Sequence, residues 1–339
     1  GVYTGDIISL FDSGTSSIKN KKSELTGKVT ASDNYSALIR FGTPHYVYNL
    51  KTKWAFITEK NYSDPSYSVS LAVKLNNEAL NKQYRDALSG LGLVRIGDDA
   101  VELIIEDVPY KGTTEVKVRT AGENMILAKI QAGGSAASDI EKCIAVIRNY
   151  AQSMFIRKIS LKDSDYYMEM ELLPARITRE NGKIKISDTL SFPDSCTIPE
   201  VKIEEYALLK VWNKGDKDCY FSIIDIQPDG IINSILPDGK KFSKELFLKR
   251  GQVLIIPDFY LQFFEPTGTE VFKVFATESP LNLEPLISSK GTDSRGGHHP
   301  LEQVIKSSYQ RTRGGRPGHL SSDSAGSTFD YLFRIRANE

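Results

Sequence analysis

Residues 218–242 carry the same tripeptide twice, because one apolar run ends in Pro228-Asp229-Gly230 and the next ends in Pro237-Asp238-Gly239. Proline suits the first central position of a type I turn, and glycine suits its last position. The six residues between the tripeptides are enough for one strand, and the run before them has apolar residues of both parities. We therefore expect an interior strand, a turn and a second strand. The acids of this stretch, Asp225 included, are interpreted as turn residues rather than as metal ligands.

Similar punctuation continues on both sides of this stretch. Turn signals separate short apolar runs throughout residues 165–286, for example at Asn181-Gly182, Lys214-Gly215-Asp216 and Pro266-Thr267-Gly268. Several short strands at such intervals are typical of an antiparallel β-sandwich of about 100 to 120 residues. Thr328–Arg336 alternates apolar with polar residues, which predicts a last strand that returns to the sandwich.

The length of the chain, 339 residues, exceeds that of one typical domain, so we expect two or three. The fold class that the patterns predict is mainly β with α+β elements. Residues 1–60 predict a small β-barrel or sheet, and residues 61–135 predict a small α+β unit. Residues 136–339 predict one long amphipathic helix followed by the antiparallel sandwich, with a flexible excursion at residues 288–326.

The helix predicted at residues 138–158 has the clearest pattern in the chain. Ser138-Asp139-Ile140-Glu141 has the spacing of a capping box, in which the serine and glutamate side chains bind each other's backbone amides. Apolar residues then recur at helical spacing, and Cys143 belongs to that stripe. We therefore interpret Cys143 as a packing residue rather than as a nucleophile. A shorter helix should begin after Asn76 or Asn77.

Composition excludes several classes of partner. Lys plus Arg and Asp plus Glu both number 43, so the formal net charge is zero, and neither nucleic acid nor an anionic membrane is expected as a partner. No run of 18 apolar residues occurs, so no membrane span is expected. The first residues lack the basic and apolar regions of a signal peptide, and the chain looks like a fragment of something longer. The expected location is cytoplasmic, with a removed signal peptide as the alternative.

The residue patterns of catalysis and metal binding are missing from the sequence. The three cysteines have no zinc-ligand spacing. Three of the four histidines, His298, His299 and His319, lie in the Gly/Ser-rich excursion, which is a poor platform for a catalytic base. No nucleophile elbow and no phosphate-binding loop is present. We therefore expect no catalytic residue, no cofactor and no metal, and we expect that the chain is not an enzyme.

A dense aromatic stretch at residues 259–264 predicts a contact surface. On a strand its members divide by parity into a core-facing set, Phe259, Leu261 and Phe263, and an outward set, Tyr260, Gln262 and Phe264. Exposed aromatic residues mark contact patches, whereas burial of both faces would remove the signal. The remaining candidates for a binding surface are three arginines of the excursion: Arg311, Arg313 and Arg316. These could contact an anion or an acidic partner, but we favour a solvated loop for them.

Four segments resemble, in this order, the β-rich accessory module called DUF4384: Leu209–Asn213, Asp218–Ile232, Leu236-Pro237 and Phe272–Leu281. The resemblance covers roughly residues 205–286. Such modules often follow the catalytic domain of bacterial caspase-like cysteine peptidases, so the resemblance implies that the parent protein is a cysteine endopeptidase of that type. This chain lacks the family's His-Gly motif and its Asp-x-Cys or Gln-Ala-Cys motif, so no catalytic residue can be transferred to it.

Functions of different classes remain open at this point. The favoured hypothesis is a non-catalytic region of a bacterial caspase-like peptidase that regulates it, scaffolds it, or recruits partners or substrates. Its partner would be the catalytic domain or another protein. The alternative is an independent ligand-binding β-sandwich that takes a peptide or a carbohydrate through Tyr260, Phe264 and their neighbours. A third hypothesis is a metalloenzyme whose site the usual ligand patterns do not detect.

Overall fold

The computed structural model of the chain is mainly β and combines several sheets with α-helices, which confirms the expected fold class. It describes residues 2, 6–15, 18, 21–23, 25–32, 37–42, 52–59, 69–98, 101–110, 113–122, 124–131, 135–161, 163–180, 183–192, 198–238, 243–256, 259–283 and 326–338. Among these residues, no helix is both long enough and apolar enough to cross a membrane.

The first strands form an antiparallel sheet with the order β3-β2-β1-β4. These strands are β1 (Ile7–Asp12), β2 (Leu25–Ser32), β3 (Ala37–Phe41) and β4 (Lys53–Glu59). Ile8, Leu10 and Val29 are its buried core. The sequence left a barrel and a sheet open for this part of the chain, and its described strands form an open sheet.

A mixed sheet follows, with the order β6-β5-β7-β8-β9. Its elements are β5 (Val69–Lys74), α1 (Glu78–Ser89), β6 (Val94–Ile96), β7 (Leu103–Tyr110), β8 (Thr113–Thr120) and β9 (Ile126–Gln131). Strand β5 runs parallel to both β6 and β7. Asn77 caps α1, because its side-chain oxygen accepts a hydrogen bond from the Leu80 amide at 3.0 Å. This confirms one of the two predicted cap residues and the α+β character of this part.

The long helix α2 (Ala136–Lys158) begins two residues before its predicted start. Its cap is Ser135, whose hydroxyl accepts a hydrogen bond from the Ser138 amide at 3.2 Å. The predicted capping box is therefore wrong, because Ser138 lies inside the first turn. Ala136 and Ala137 are strong helix formers, so they extend the helix back to the preceding serine.

The sandwich consists of two sheets. The outer sheet has the order β11-β10-β13-β17, with β18 also paired to β13, and its strands are β10 (Met168–Glu180), β11 (Lys183–Thr189), β13 (Tyr206–Asn213), β17 (Val253–Ile255) and β18 (Leu261–Gln262). The inner sheet has the order β12-β20-β19-β14-β15, with β16 also paired to β14, and its strands are β12 (Glu200–Lys202), β14 (Cys219–Ile226), β15 (Ile232–Leu236), β16 (Phe247–Leu248), β19 (Gly268–Thr277) and β20 (Gly326–Arg336).

One apolar core fills the space between the two sheets. The outer sheet contributes Met170 and Leu209, and the inner sheet contributes Phe221, Phe272 and Phe333, all of them buried. The rings of Phe272 and Phe333 pack edge to face with centroids 4.6 Å apart. Strand β20 pairs with β19 along ten residue pairs, which confirms the predicted return of the last strand to the sandwich.

Helix α2 covers the other face of the inner sheet. Near its C-terminal end, Ile156 packs with Ile224 and Phe275 of the inner sheet. Nearer its N-terminal end, Cys143 and Ile147 are buried in the core of the mixed sheet. The helix is thus shared between two cores, whereas the outer sheet has no such cover among the described residues.

The first Pro-Asp-Gly forms the predicted turn between β14 and β15. The Gly230 amide donates to the Gln227 carbonyl at 3.0 Å, and the Gln227 amide donates to the Ile231 carbonyl at 2.9 Å. Gly230 has a φ of 88°, which favours glycine. Strand β14 lies between β19 and β15, so its predicted interior position is also confirmed. At the second tripeptide the Leu236–Pro237 peptide is cis, and Gly239 lies outside the described residues.

The same turn packs directly on α2. A Cβ atom added to Gly230 would lie 2.8 Å from the Cα atom of Tyr150 and 3.1 Å from the Ser153 hydroxyl. Real Cβ atoms do not approach so closely, so only glycine allows this distance between turn and helix. The tripeptide therefore serves two purposes, since it reverses the chain and holds the β14–β15 hairpin against α2.

Candidate interaction surface

The outward face of the outer sheet is the unusual surface of this molecule. Along β13, Leu209 and Val211 point into the sandwich core, so Lys210 and Trp212 point outwards by strand alternation. An antiparallel sheet with one solvated face normally carries polar residues on it. Trp212 is instead 40% exposed there.

Two aliphatic residues of β17 continue this apolar surface. Val253 lies opposite Trp212, and Ile255 lies opposite Lys210. Their exposed fractions are 48% and 46%, while Leu254 between them packs against the core. The register therefore places Val253 and Ile255 on the outward face beside Trp212.

The charged groups described next to Trp212, namely Lys214 and Glu169, form an ion pair with each other. The Lys214 ammonium lies 4.2 Å from the centroid of the Trp212 ring, within the range of a cation–π contact, and it also pairs with Glu169. The Tyr167 hydroxyl donates to the Glu169 carboxylate at 3.0 Å, and burial, then this carboxylate, raises the pKa of Tyr167 to about 12. Trp212 is thus a largely preorganised anchor with no unpaired charge next to it.

The aromatic stretch predicted to form a contact surface lies on the same face. Strand β18 places Leu261 opposite Ala207 and Gln262 opposite Tyr206. Tyr260 and Phe264 are 43% and 59% exposed, and Gln262 is half-buried. Phe263 is buried, and Phe259 and Leu261 pack against the core. The predicted division of these residues by parity is confirmed, while their role in binding stays a prediction.

We name the exposed apolar set on this face the outer-sheet surface: Trp212, Val253, Ile255, Tyr260 and Phe264. Of these five residues, the sequence indicated only Tyr260 and Phe264 as a contact surface. It predicted ordinary strands for β17 and for the segment that contains Trp212, although Trp212 and Val211 necessarily point to opposite faces of their strand. Arg311, Arg313 and Arg316 lie outside the described residues, so their proposed contribution stays a prediction.

The described cysteines have the environment of packing residues. Cys143 and Cys219 are buried, and burial raises the pKa of Cys143 to about 11 and that of Cys219 to about 12. A catalytic cysteine needs the opposite shift, because the thiolate is the nucleophile. Cys143 thus packs as the sequence predicted. Cys196 and all four histidines lie outside the described residues.

A buried pair of acids is the main feature that the sequence analysis misinterpreted. Asp225 and Glu270 are only 5% and 4% exposed, and by alternation both lie on the core face of the inner sheet. Their carboxyl groups lie close enough to raise each other's energy when charged, and the Asn233 side-chain amide donates to Asp225 at 3.4 Å. Asp225 is therefore not a turn residue, whereas Asp229 is, because its carboxylate accepts a bond from the Ile231 amide.

Two charged carboxylates would repel each other in this buried position, so the pair keeps at least one proton between them at neutral pH. Burial is the main cause that raises the pKa of Asp225 to about 7. Burial and the neighbouring Asp225 raise the pKa of Glu270 to about 10. The pair lies inside the sandwich, so it belongs to the core. Among the described residues, no group of three or more His, Cys, Asp or Glu could hold a metal ion.

A cleft of about 1020 Å³ opens between the β8–β9 connection and the ends of β19 and β20. Met125, Pro266 and Ile335 are among its lining residues. Arg336 in its wall is paired with Glu200. No acid, base and nucleophile converge in it within the described part of the chain, so it offers less to a function than the outer-sheet surface does.

Comparison with known families identifies the central part of the sandwich. Residues 208–280 match the family model described as domain of unknown function DUF4384. The chain contains a DUF4384 domain. No curated protein and no solved structure matched the chain.

The DUF4384 domain runs from β13 to β19 and thus spans both sheets. It supplies every member of the outer-sheet surface. Strands β10, β11, β12 and β20 lie outside the match and complete the two sheets. The family match confirms the predicted module, and the parent peptidase stays a proposal.

Proposed function

We propose that this chain is a non-catalytic, partner-binding region and that its partner binds to the outer-sheet surface. The observation that carries the proposal is the set of five large apolar side chains exposed on one face of one sheet. Removing such area from water is favourable by about 25 cal/mol per Å² before the costs of association are subtracted, and tryptophan and tyrosine are the residues that most often dominate binding energy.

We further propose that the parent is a bacterial caspase-like cysteine peptidase and that the partner is its catalytic domain or a protein recruited to it. The DUF4384 domain supports this proposal, because the resemblance behind it places such modules after caspase-like domains. The buried, high-pKa thiols of Cys143 and Cys219 support a region that leaves the chemistry to another domain. The zero formal net charge favours a protein partner over nucleic acid.

Two observations test the catalytic part of the proposal. The chain should not cleave fluorogenic peptides that end in Arg, Lys or Asp, with or without a reducing agent. The DNA upstream of this coding region should encode a His-Gly motif and an Asp-x-Cys motif. Thiol-dependent turnover by the chain itself would contradict its non-catalytic role. An upstream region without these motifs would contradict the proposal that the parent protein is a caspase-like peptidase.

The binding part of the proposal is tested with the two tryptophans of the chain. Trp212→Ser should weaken binding to the catalytic domain encoded upstream by about tenfold or more, because a central aromatic anchor is lost. Trp54→Ser is the matched control, since Trp54 is 43% exposed but lies on β4. Isothermal titration calorimetry measures both affinities. Equal affinity of the Trp212→Ser variant and the unchanged chain would exclude this surface.

The alternative function, an independent ligand-binding sandwich, is favoured by the exposure of Tyr260 and Phe264. Flat aromatic side chains on a sheet can also stack on sugars or on peptide side chains. A thermal-shift screen of oligosaccharides and peptides separates the two functions, because a ligand that binds only the folded chain raises its melting temperature. A specific rise of several degrees with an oligosaccharide would favour the alternative.

A further inference from the structure

We propose that the edge of β17, with which no described strand pairs on its far side, accepts an extended peptide segment of the partner as an additional strand of the outer sheet. This proposal rests on the proposed function and names the way in which the partner binds. It follows from the hydrogen bonds of β17, from the side chains of the other sheet edges and from the charges around Trp212.

The hydrogen-bond pattern leaves two residues of β17 facing the edge. The Asn213 amide donates to the Gln252 carbonyl at 3.0 Å, and the Ile256 amide donates to the Leu209 carbonyl at 2.9 Å. In an antiparallel pair, residues alternate between bonding to the neighbour and pointing away from it. Val253 and Ile255 therefore direct their amides and carbonyls away from β13. No residue that the structure describes forms a backbone hydrogen bond with these groups.

The side chains of β17 do not protect this edge. Natural proteins protect edge strands with charges, prolines or bulges that prevent pairing with another chain. The opposite edge of the outer sheet follows that rule, because β11 carries Lys185 and Asp188. At one edge of the inner sheet, β12 is Glu-Val-Lys. Strand β17 is Val-Leu-Ile and has no charged residue, so it retains the pairing capacity that β11 and β12 restrict.

The surroundings define the chemistry of the added strand. Its outward side chains would lie beside Val253 and Ile255, one strand spacing away from each, which is about 4.8 Å. Three described charged groups near this edge already have a counter-ion: Lys210 with Glu171, Lys214 with Glu169, and Arg250 with Asp216. A charged side chain would have to compete with these ion pairs. The segment that fits is therefore extended and uncharged, with apolar residues at alternate positions.

The probe for this proposal is a heptapeptide of alternating threonine and valine with blocked ends. We expect it to bind the full chain, and we expect Val253→Pro to weaken binding roughly tenfold, because the outward amide is lost and an edge hydrogen bond with it. Proline fits this position because the amide of Val253 is not used in the ladder with β13. Val253→Lys is a second variant, which should weaken binding without any change to the backbone.

Ile126→Lys is the matched control for Val253→Lys, since Ile126 is 45% exposed on β9, the edge strand of the mixed sheet, and this variant should bind the probe within about twofold of the unchanged chain. Two further probes carry N-methyl groups, one on its valines and the other on its threonines, so each lacks the amide donors of one edge. Only one of these two probes should bind, because only one edge of the added strand faces β17. Melting curves of all variants report whether they remain folded.

The outcomes separate this proposal from the proposed function. Strand addition is overturned if the probe does not bind. It is also overturned if the Val253→Pro variant and the Val253→Lys variant each bind the probe as tightly as the unchanged chain does. If Trp212→Ser then still weakens binding of the upstream catalytic domain, the outer-sheet surface retains its function by side-chain contacts alone. A dimer of the chain that Val253→Pro dissociates would also overturn the proposal, because the added strand would come from a second copy.

Discussion

At the scale of single residues, two buried acids in the core make the free energy of unfolding depend on pH. Asp225 and Glu270 both have raised pKa values in the folded chain, about 7 and about 10, chiefly because of burial. In the unfolded chain both carboxyls ionise near pH 4. The folded state therefore holds more protons than the unfolded state above that pH. The contribution of this pair to stability is therefore fully present below about pH 4 and is lost as the pH rises through about 7 and towards about 10.

Glu270→Gln should reduce this dependence. Glutamine is neutral at every pH, and its amide can still donate a hydrogen bond to Asp225. Between about pH 5 and about pH 8, the variant should lose less free energy of unfolding than the unchanged chain, by about 2 kcal/mol. Urea denaturation at both pH values measures the difference. Glu278→Gln, at an exposed position after β19, is the control, and identical pH profiles for all three proteins would refute the shared proton.

Strand alternation was enough to orient Tyr260 and Phe264, but not to find Trp212 or to interpret Asp225. Whether the outward face of a strand meets solvent depends on the next layer of the fold, which no local pattern contains. Asp225 stood close to two turn tripeptides, so a turn was the simplest explanation. Its partner, Glu270, lies on a strand far along the chain, and only the register of β14 and β19 brings the two together.

At the scale of elements, the contact between the β14–β15 turn and α2 depends on one missing side chain. Gly230→Ala would combine a left-handed backbone with a contact of 2.8 Å to the Tyr150 Cα atom. We expect a loss of about 2–4 kcal/mol in the free energy of unfolding. Urea denaturation followed by tyrosine fluorescence would measure it.

Gly251→Ala separates the two causes, because Gly251 has a φ of 71° but no atom within 4 Å of an added Cβ. This control should lose only about 1 kcal/mol, the cost of the backbone conformation alone. Equal losses for both variants would mean that the turn moves away from α2 at no cost.

Elements were predictable where one local signal dominated. The first Pro-Asp-Gly specified its turn because proline, aspartate and glycine each fit their position. The start of α2 was not predictable in this way, because Ser135 and Ser138 are both suitable N-cap residues. The choice between them depends on whether the two alanines join the helix, which alanine favours but the cap pattern itself does not specify.

At the scale of the whole molecule, a buried lysine connects the end of α2 to two strands of the inner sheet. Lys273 is fully buried, and its ammonium donates to the Asp330 carboxylate at 2.7 Å and to the Arg157 carbonyl at 3.0 Å. Burial is the largest influence on the pKa of Asp330 and acts to raise it, but the charge and hydrogen bond of Lys273, together with further positive charges such as Arg157, lower that pKa overall. Helix and sheet thus meet at an ion pair within an otherwise apolar contact.

Lys273→Met should lower the free energy of unfolding by about 3 kcal/mol, because Asp330 and the helix carbonyl both lose this donor. Methionine has a similar length, so little packing is lost. The double variant Lys273→Met/Asp330→Asn should recover part of the loss, since no charge then remains unpaired. Urea denaturation of the three proteins checks this, and a double variant less stable than Lys273→Met would contradict it.

The layers of the molecule were only partly visible in the sequence. The spacing of turns indicated a sandwich, and the four matching segments indicated the DUF4384 domain. Which sheet α2 would cover was not visible, because the apolar stripe that the sequence indicates includes Ile147 but not Ile156, which lies on the opposite face of the helix. The two residues accordingly pack into different cores.

That shared helix has a consequence for how such a chain can evolve. A recombination event that brought in the sandwich without the mixed sheet would leave Cys143, Ile147 and Met154 in water. One that kept the mixed sheet without the sandwich would expose Ile156 in the same way. Gene fusions that are retained should therefore carry residues 69–131, α2 and the sandwich together, as one heritable block.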